Sequence, residues 1–216
     1  MNISPKNHIK RTRVKVCGIT RVEDAIHAVE SGADAIGFVF FEKSPRYINQ
    51  EKAAEIAKVL PPFISKVALF VNALEIEIRS VLDTVPVDLL QFHGEESPEE
   101  CRSYDRPYIK AVRMDGGVDL YQLCDDYADA SALLLDSFVE GIRGGTGQRF
   151  DWSRIPSDLD KQIILAGGLT SKNVANAISE VLPYAVDVSG GVEIKKGIKD
   201  AAKIEEFIQE VMHARK

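Results

Sequence analysis

Eight short apolar runs alternate along the chain with longer amphipathic stretches. The runs are Val14–Cys17, Ala35–Phe40, Lys66–Val71, Asp88–Phe92, Tyr108–Val112, Ala132–Asp136, Ile163–Ala166 and Ala185–Val188. Between them, helical spacing of apolar residues predicts helices over Val22–Ser31, Gln50–Val59, Leu74–Asp83, Pro98–Tyr104, Leu120–Tyr127, Ser171–Val181 and Ile198–Val211. The interval from Ser137 to Gln162 carries a glycine-rich loop and one short helix near Asp151–Ile155. This alternation predicts an α/β fold, a single (β/α)8 TIM barrel over residues 1–216, with 1–12 as a flexible N-terminal extension. An open doubly wound sheet shares the alternation. Eight regular units without a dominant phosphate fingerprint after the first strand favour closure.

Helix punctuation agrees. Thr20 and Glu23 have capping-box spacing, Ser97 before Pro98 reads as an N-cap and first helical residue, and Gly32 falls where a left-handed C-terminal residue belongs.

Composition narrows the function classes. With 27 basic and 33 acidic residues the net charge is −6, so no overall basic field exists to bind nucleic acid, and an anionic ligand must be held by local groups. Three cysteines without CxxC spacing argue against a disulfide framework or structural zinc. No apolar stretch is long enough for a membrane span, and no apolar core follows the basic residues of the N-terminal segment, so a signal peptide is not expected. A soluble, cytoplasmic protein is the expectation.

In a barrel of this kind, chemistry sits where the strands run into the loops that follow them. Those positions are Cys17, Phe40, Asn72, His93, Arg113, Asp136, Gly167 and Ser189. Strand alternation turns Val14 and Val16 toward the helices and Lys15 and Cys17 inward, and likewise places Asp187 and Ser189 inside the eighth strand. Asp136 lies on the face opposite Leu133 and Leu135. A thiol and a carboxyl therefore point into one mouth. Cys17 needs nearby positive charge to act as a base, which Lys15 could supply unless it is committed to Asp187. Asp136 closes a run of three leucines, a setting that favours the neutral carboxyl and suits it to donate a proton. Cys101 and Cys124, on helices, read as small buried hydrophobes.

Gly167-Gly168 and Gly190-Gly191 follow the seventh and eighth strands, where exposed backbone N–H groups of barrels commonly take phosphate. Arg46 follows the second strand and suits a planar carboxylate. His93 is the sole histidine at a strand end, too few for a two-histidine metal centre, so no metal is expected.

Lys15-Val-Cys-Gly-Ile-Thr20, Gly37-Phe-Val-Phe40, Ser44-Pro-Arg46, Gln91-Phe-His-Gly94, Leu134-Leu-Asp-Ser137, Gly144-Gly-Thr-Gly147, Ala166-Gly-Gly-Leu169 and Val186-Asp-Val-Ser-Gly-Gly-Val-Glu193, in this order, resemble the phosphoribosylanthranilate isomerases of tryptophan biosynthesis. The resemblance runs from Val14 to Phe207. It implies a cofactor-free (β/α)8 barrel, monomeric or homodimeric, that rearranges a phosphosugar, N-(5-phosphoribosyl)anthranilate, to 1-(2-carboxyphenylamino)-1-deoxyribulose 5-phosphate. It also implies Cys17 as general base, Asp136 as general acid and Arg46 at the anthranilate carboxylate; His93 and Asp187, at the strand ends, are expected as further substrate contacts. Phosphate falls to Gly167, Gly168, Ser189, Gly190 and Gly191, with Gly145 in the 144–147 loop near the same end. Two positions depart from the usual pattern: Phe92 stands for leucine and Gly190 for serine. An indole-3-glycerol phosphate synthase would rely on lysines and a glutamate at the strand ends. A non-catalytic phosphate-binding barrel would keep the glycines without an inward thiol and carboxyl.

Overall fold

The computed structural model describes residues 11–137 and 150–214. Eight parallel strands close into one barrel: β1 (Arg13–Cys17), β2 (Ala35–Val39), β3 (Ser65–Phe70), β4 (Leu89–Phe92), β5 (Tyr108–Met114), β6 (Ala132–Ser137), β7 (Ile163–Leu165) and β8 (Ala185–Val188). β8 pairs with β1, setting Lys15 opposite Asp187, so the barrel has no open edge. The described helices are α1 (Val22–Ser31), α2 (Gln50–Val59), α3 (Glu75–Thr84), α4 (Pro98–Arg102), α5 (Leu120–Asp126), α6 (Val174–Val181) and α7 (Ala201–His213). A 3-10 turn at Trp152–Arg154 occupies the short helix expected there.

The strands form because each carries β-branched or bulky residues on one face and must bury both faces in a parallel sheet. Outward residues such as Val16, Ile36, Phe38, Phe70, Leu90, Leu133 and Leu135 join the helices in the main core. Phe92 belongs to this layer, with its ring edge-on to Tyr108 at 5.9 Å, so its departure from leucine lies away from the mouth. Inside the barrel, Ile109, Ala111, Ala132, Leu134, Ile164, Ala166 and Ala185 form a separate apolar plug.

Gly32 ends α1 in the left-handed region (φ 107°), and Ser97 with Glu100 forms a reciprocal capping box at α4. Four expectations are corrected. Thr20 does not cap α1: Arg21 is the N-cap residue, with no side-chain bond, and the Thr20 hydroxyl instead donates to the Gly197 carbonyl at 2.6 Å. α6 starts at Val174 rather than Ser171, because Asn173 folds back to accept from Thr170 N and donate to Gly168 O. α7 starts at Ala201, where the Asp200 side chain caps it; Ile198–Lys199 (β10) instead pairs antiparallel with Glu193–Lys195 (β9). Cys124 is only partly buried, whereas Cys101 is fully buried. Of the expected N-terminal extension, residues 1–10 lie outside the described residues. Arg11 pairs with Asp34 at 2.5 Å and Thr12 is buried, so 11 and 12 are docked on the barrel.

Candidate active site

The C-terminal mouth of the barrel gathers most of the residues singled out above. Cys17 ends β1 facing inward, with its sulfur over Gly37 of β2. A Cβ at position 37 would sit 2.8 Å from that sulfur, so only glycine leaves the thiol its place. Lys15, one inward step below, bonds Asp187 at 2.9 Å, and both side chains are buried. The same side chain lies beside the Cys17 sulfur over Gly37, and its positive charge pulls the thiol down. The two roles weighed for Lys15 are therefore held together.

The electrostatics are a contest between burial and these partners. Burial pushes the Cys17 thiol up, the Lys15 ammonium pulls it down, Asp187 raises it and Lys199 lowers it, and the net direction is up. Burial also lifts the Asp187 carboxyl against the pull of Lys15, with the Asp136 carboxyl adding to the rise. At rest the thiol is protonated at neutral pH.

Asp136 lies on the opposite wall, at the end of β6. One carboxylate oxygen accepts from the Ser137 N–H at 2.8 Å, and the other is 3.2 Å from His93 Nε2. Gln91, fully buried two residues below His93, places its amide nitrogen 3.0 Å from Nδ1. With that N–H donating to Nδ1, the ring carries its proton on Nε2, facing Asp136. His93 thus orients the carboxyl. Arg113 is in register with Asp136 on β5.

Arg46, after β2, reaches across the mouth to Glu193: Nε donates to Oε1 at 2.7 Å and a terminal nitrogen to Oε2 at 2.8 Å. Glu193 also accepts from Lys199 at 3.0 Å and from the Gly197 N–H at 3.2 Å. The sequence reading passed over Glu193, Lys199, Gln91 and Gly37. Three of the four stood in the quoted motifs without a role; Lys199 fell inside a predicted helix.

The glycine turns meet as expected. Gly167 and Gly168 both have positive φ after β7, and a Cβ on Gly191 after β8 would run into the Leu169 carbonyl, so the two loops lie against each other. Among the described residues, the N–H groups of Gly168, Gly190 and Gly191 donate to no protein acceptor. Ser189 accepts from Lys199 through its carbonyl at 3.2 Å and its hydroxyl at 3.4 Å. Gly145 and the rest of its loop lie outside the described residues. Among the described residues no group of three or more His, Cys, Asp or Glu side chains could hold a metal ion, and no helix is long and apolar enough to cross a membrane.

An inward thiol, an opposed carboxyl, an arginine and two glycine turns thus meet at one end of the barrel. The family model for N-(5'-phosphoribosyl)anthranilate (PRA) isomerase matches residues 14–210. The N-(5'-phosphoribosyl)anthranilate isomerase of Pseudomonas fluorescens (strain Pf0-1) is 60% identical over 199 residues, covering 92% of this chain and 98% of that one. A phosphoribosyl anthranilate isomerase crystallised with reduced 1-(o-carboxyphenylamino)-1-deoxyribulose 5-phosphate superposes with TM-score 0.83 at 42% identity, over 93% of this chain and 98% of that one. Monomers derived from the dimeric enzyme of Thermotoga maritima superpose with TM-score 0.82 at 40% identity, over 94% and 99%. The chain belongs to the phosphoribosylanthranilate isomerase family.

Proposed function

We infer that the chain converts N-(5-phosphoribosyl)anthranilate to 1-(2-carboxyphenylamino)-1-deoxyribulose 5-phosphate, the isomerisation of its family, with Cys17 as general base and Asp136 as general acid. The observation that carries these roles is the inward thiol beside Lys15 facing, across one mouth, a carboxyl oriented by His93. The amides of Gly168, Gly190 and Gly191 are open to the phosphate, and Arg46 to the anthranilate carboxylate. Together they stretch the sugar between the two groups, so positioning and proton transfer cooperate. Asp136, as the general acid, gives a proton to the ring oxygen, and the C1–O bond breaks as the anthranilate nitrogen forms an iminium. That iminium acidifies the C2 hydrogen, which the Cys17 thiolate removes. The C2–H electrons form C1=C2 and quench the iminium, leaving an enaminol. The Cys17 thiol then gives its proton to C1 and the Asp136 carboxylate takes the C2 hydroxyl proton, which yields the ketose and restores both groups. Asp187 keeps Lys15 beside the thiol.

The reading extends to a cytoplasmic enzyme, supported by three free cysteines of which one must stay reduced to work. It also extends to a monomer or homodimer, which light scattering on the purified protein decides. The chemistry is tested by fluorescence on freshly prepared phosphoribosylanthranilate. Rapid signal change is the expected result. Binding without change would favour a non-catalytic barrel, and indole formation from the ketose would favour the synthase.

A further inference from the structure

We propose that Glu193 and Lys199 are the positioning residues through which the enzyme recognises the carboxylate of its aromatic amine: Glu193 fixes the direction of the Arg46 fork, and Lys199 supplies the charge that lets one guanidinium face two carboxylates. The inference rests on the isomerase reading above and deepens it.

A guanidinium offers a side edge, Nε with one terminal N–H, and an end edge of two parallel N–H groups from its terminal nitrogens. Glu193 takes the side edge of Arg46 with both oxygens, at 2.7 and 2.8 Å. The end edge stays open, since Nη1 makes no hydrogen bond among the described residues and the side chain keeps 11% of its surface exposed. The stem is fixed as well. Arg46 Cδ lies 2.6 Å from where a Cβ on Gly18 would be, and Gly18 sits at φ +74°, so the side chain lies flat on that glycine. On the other side, a Cβ on Gly190 would come within 3.2 Å of the Arg46 nitrogen already given to Glu193. The unusual glycine at 190 therefore leaves the fork unobstructed. Glu193 is itself anchored by the Gly197 N–H, and the Gly197 carbonyl by Thr20, which ties the loops after β1, β2 and β8 together.

Charge completes the arrangement. Arg46 and Glu193 alone cancel, which would leave a second carboxylate little to attract it. Lys199 has a fully buried side chain and bonds Glu193 at 3.0 Å. Burial lowers its ammonium while Glu193 holds it up, and as the ammonium it brings the cluster to a net +1, matched to one incoming carboxylate.

The test compares two substrates, phosphoribosylanthranilate and the corresponding phosphoribosylaniline, which lacks the carboxylate. The readout is the ratio of their kcat/KM values. Wild type is expected to prefer the carboxylated substrate. In Glu193→Gln, one acceptor facing the fork becomes a donor, and the preference falls about ten- to hundredfold, mostly through KM. That fall is expected although the substitution makes the cluster more positive. Lys199→Met leaves the fork aligned but removes the surplus charge, and lowers the preference about three- to tenfold. It stays informative if Glu193→Gln does not fold. Equal losses on both substrates would mark a merely structural role and overturn the proposal, as would a preference kept or raised in Glu193→Gln. Wild type converting neither substrate would overturn the isomerase reading together with this one. Wild type converting both equally would remove Arg46 from carboxylate recognition.

Discussion

The two ends of the barrel interior are built by the same strands and could hardly differ more. In the lower half, Ile109, Ala111, Leu134, Ile164 and Ala185 fill the bore with apolar atoms. Two residues further along the same face, Leu134 gives way to Asp136 and Ala185 to Asp187. There the bore holds the Lys15–Asp187 pair, the His93–Asp136 contact and, at the rim, the Arg46–Glu193–Lys199 cluster. The plug gains stability from burial with no polar group to satisfy. The mouth buries ionised groups whose desolvation roughly cancels their attraction, a cost that packing alone would never select. Rigid support below and expensive, mutually oriented charge above is what acid–base chemistry in a barrel requires.

The largest break of this contrast comes from removing the reacting groups. Cys17→Ala and Asp136→Asn should each lower turnover by about 10²–10⁴-fold, with the affinity for a reduced ketose analogue little changed, as steady-state rates and titration calorimetry would show. Near-native turnover in either variant would void that residue's role. Next, Lys15→Met leaves Asp187 buried without its cation. The variant should lose about 3–5 kcal/mol in chemical denaturation, and its Cys17 alkylation should shift to higher pH. The double variant Lys15→Met/Asp187→Leu should regain most of that stability and none of the thiol reactivity. If the single variant were as stable as wild type, the mouth would not be carrying the electrostatic cost assigned to it. In the plug, Leu134→Ala should cost about 2–5 kcal/mol while kcat stays within a fewfold of wild type. A collapse of kcat with stability unharmed would reverse the division of labour.

The smallest effect is a matter of pH. The Arg46 and Lys199 partners hold the Glu193 carboxyl below its ordinary value of 4.5, although burial opposes them. A depressed carboxyl gives stability that is full above the unfolded value and is lost as pH falls through the folded one. Acid titration of wild type should thus show a loss below about pH 4.5 that Glu193→Gln lacks.

How much of this was legible in the chain follows from what is periodic. Apolar runs in a parallel sheet and amphipathic helices repeat at fixed intervals, so the eight strands and α1 and α2 could be placed within a residue or two. Inward positions followed from alternation, which put Lys15, Cys17 and Asp187 inside the barrel, while the register that sets Lys15 opposite Asp187 came only with the structure. The errors fall where short-range hydrogen bonding overrides periodicity. Asn173 unwinds the start of α6, Gly197 at φ +81° turns the chain into a hairpin before α7, and Thr20 spends its hydroxyl on a loop rather than on α1. Glu193 and Lys199 were out of reach for a different reason. The partner of Arg46 lies 147 residues away, and nothing in local pattern announces which carboxylate an arginine will meet. The clue, weak but present, was a glutamate closing the second glycine turn.

The pairing of thiol chemistry with buried charge can be measured in one comparison: the pH profile of kcat/KM against the pH dependence of Cys17 alkylation in the free enzyme. Burial places the thiol above its ordinary value of 9.0, and the thiolate is the working form. The high-pH limb of the rate profile should therefore share the alkylation midpoint. Both should move up together in Lys15→Met. A rate limb that ignores the titration of Cys17 would contradict its place as the base.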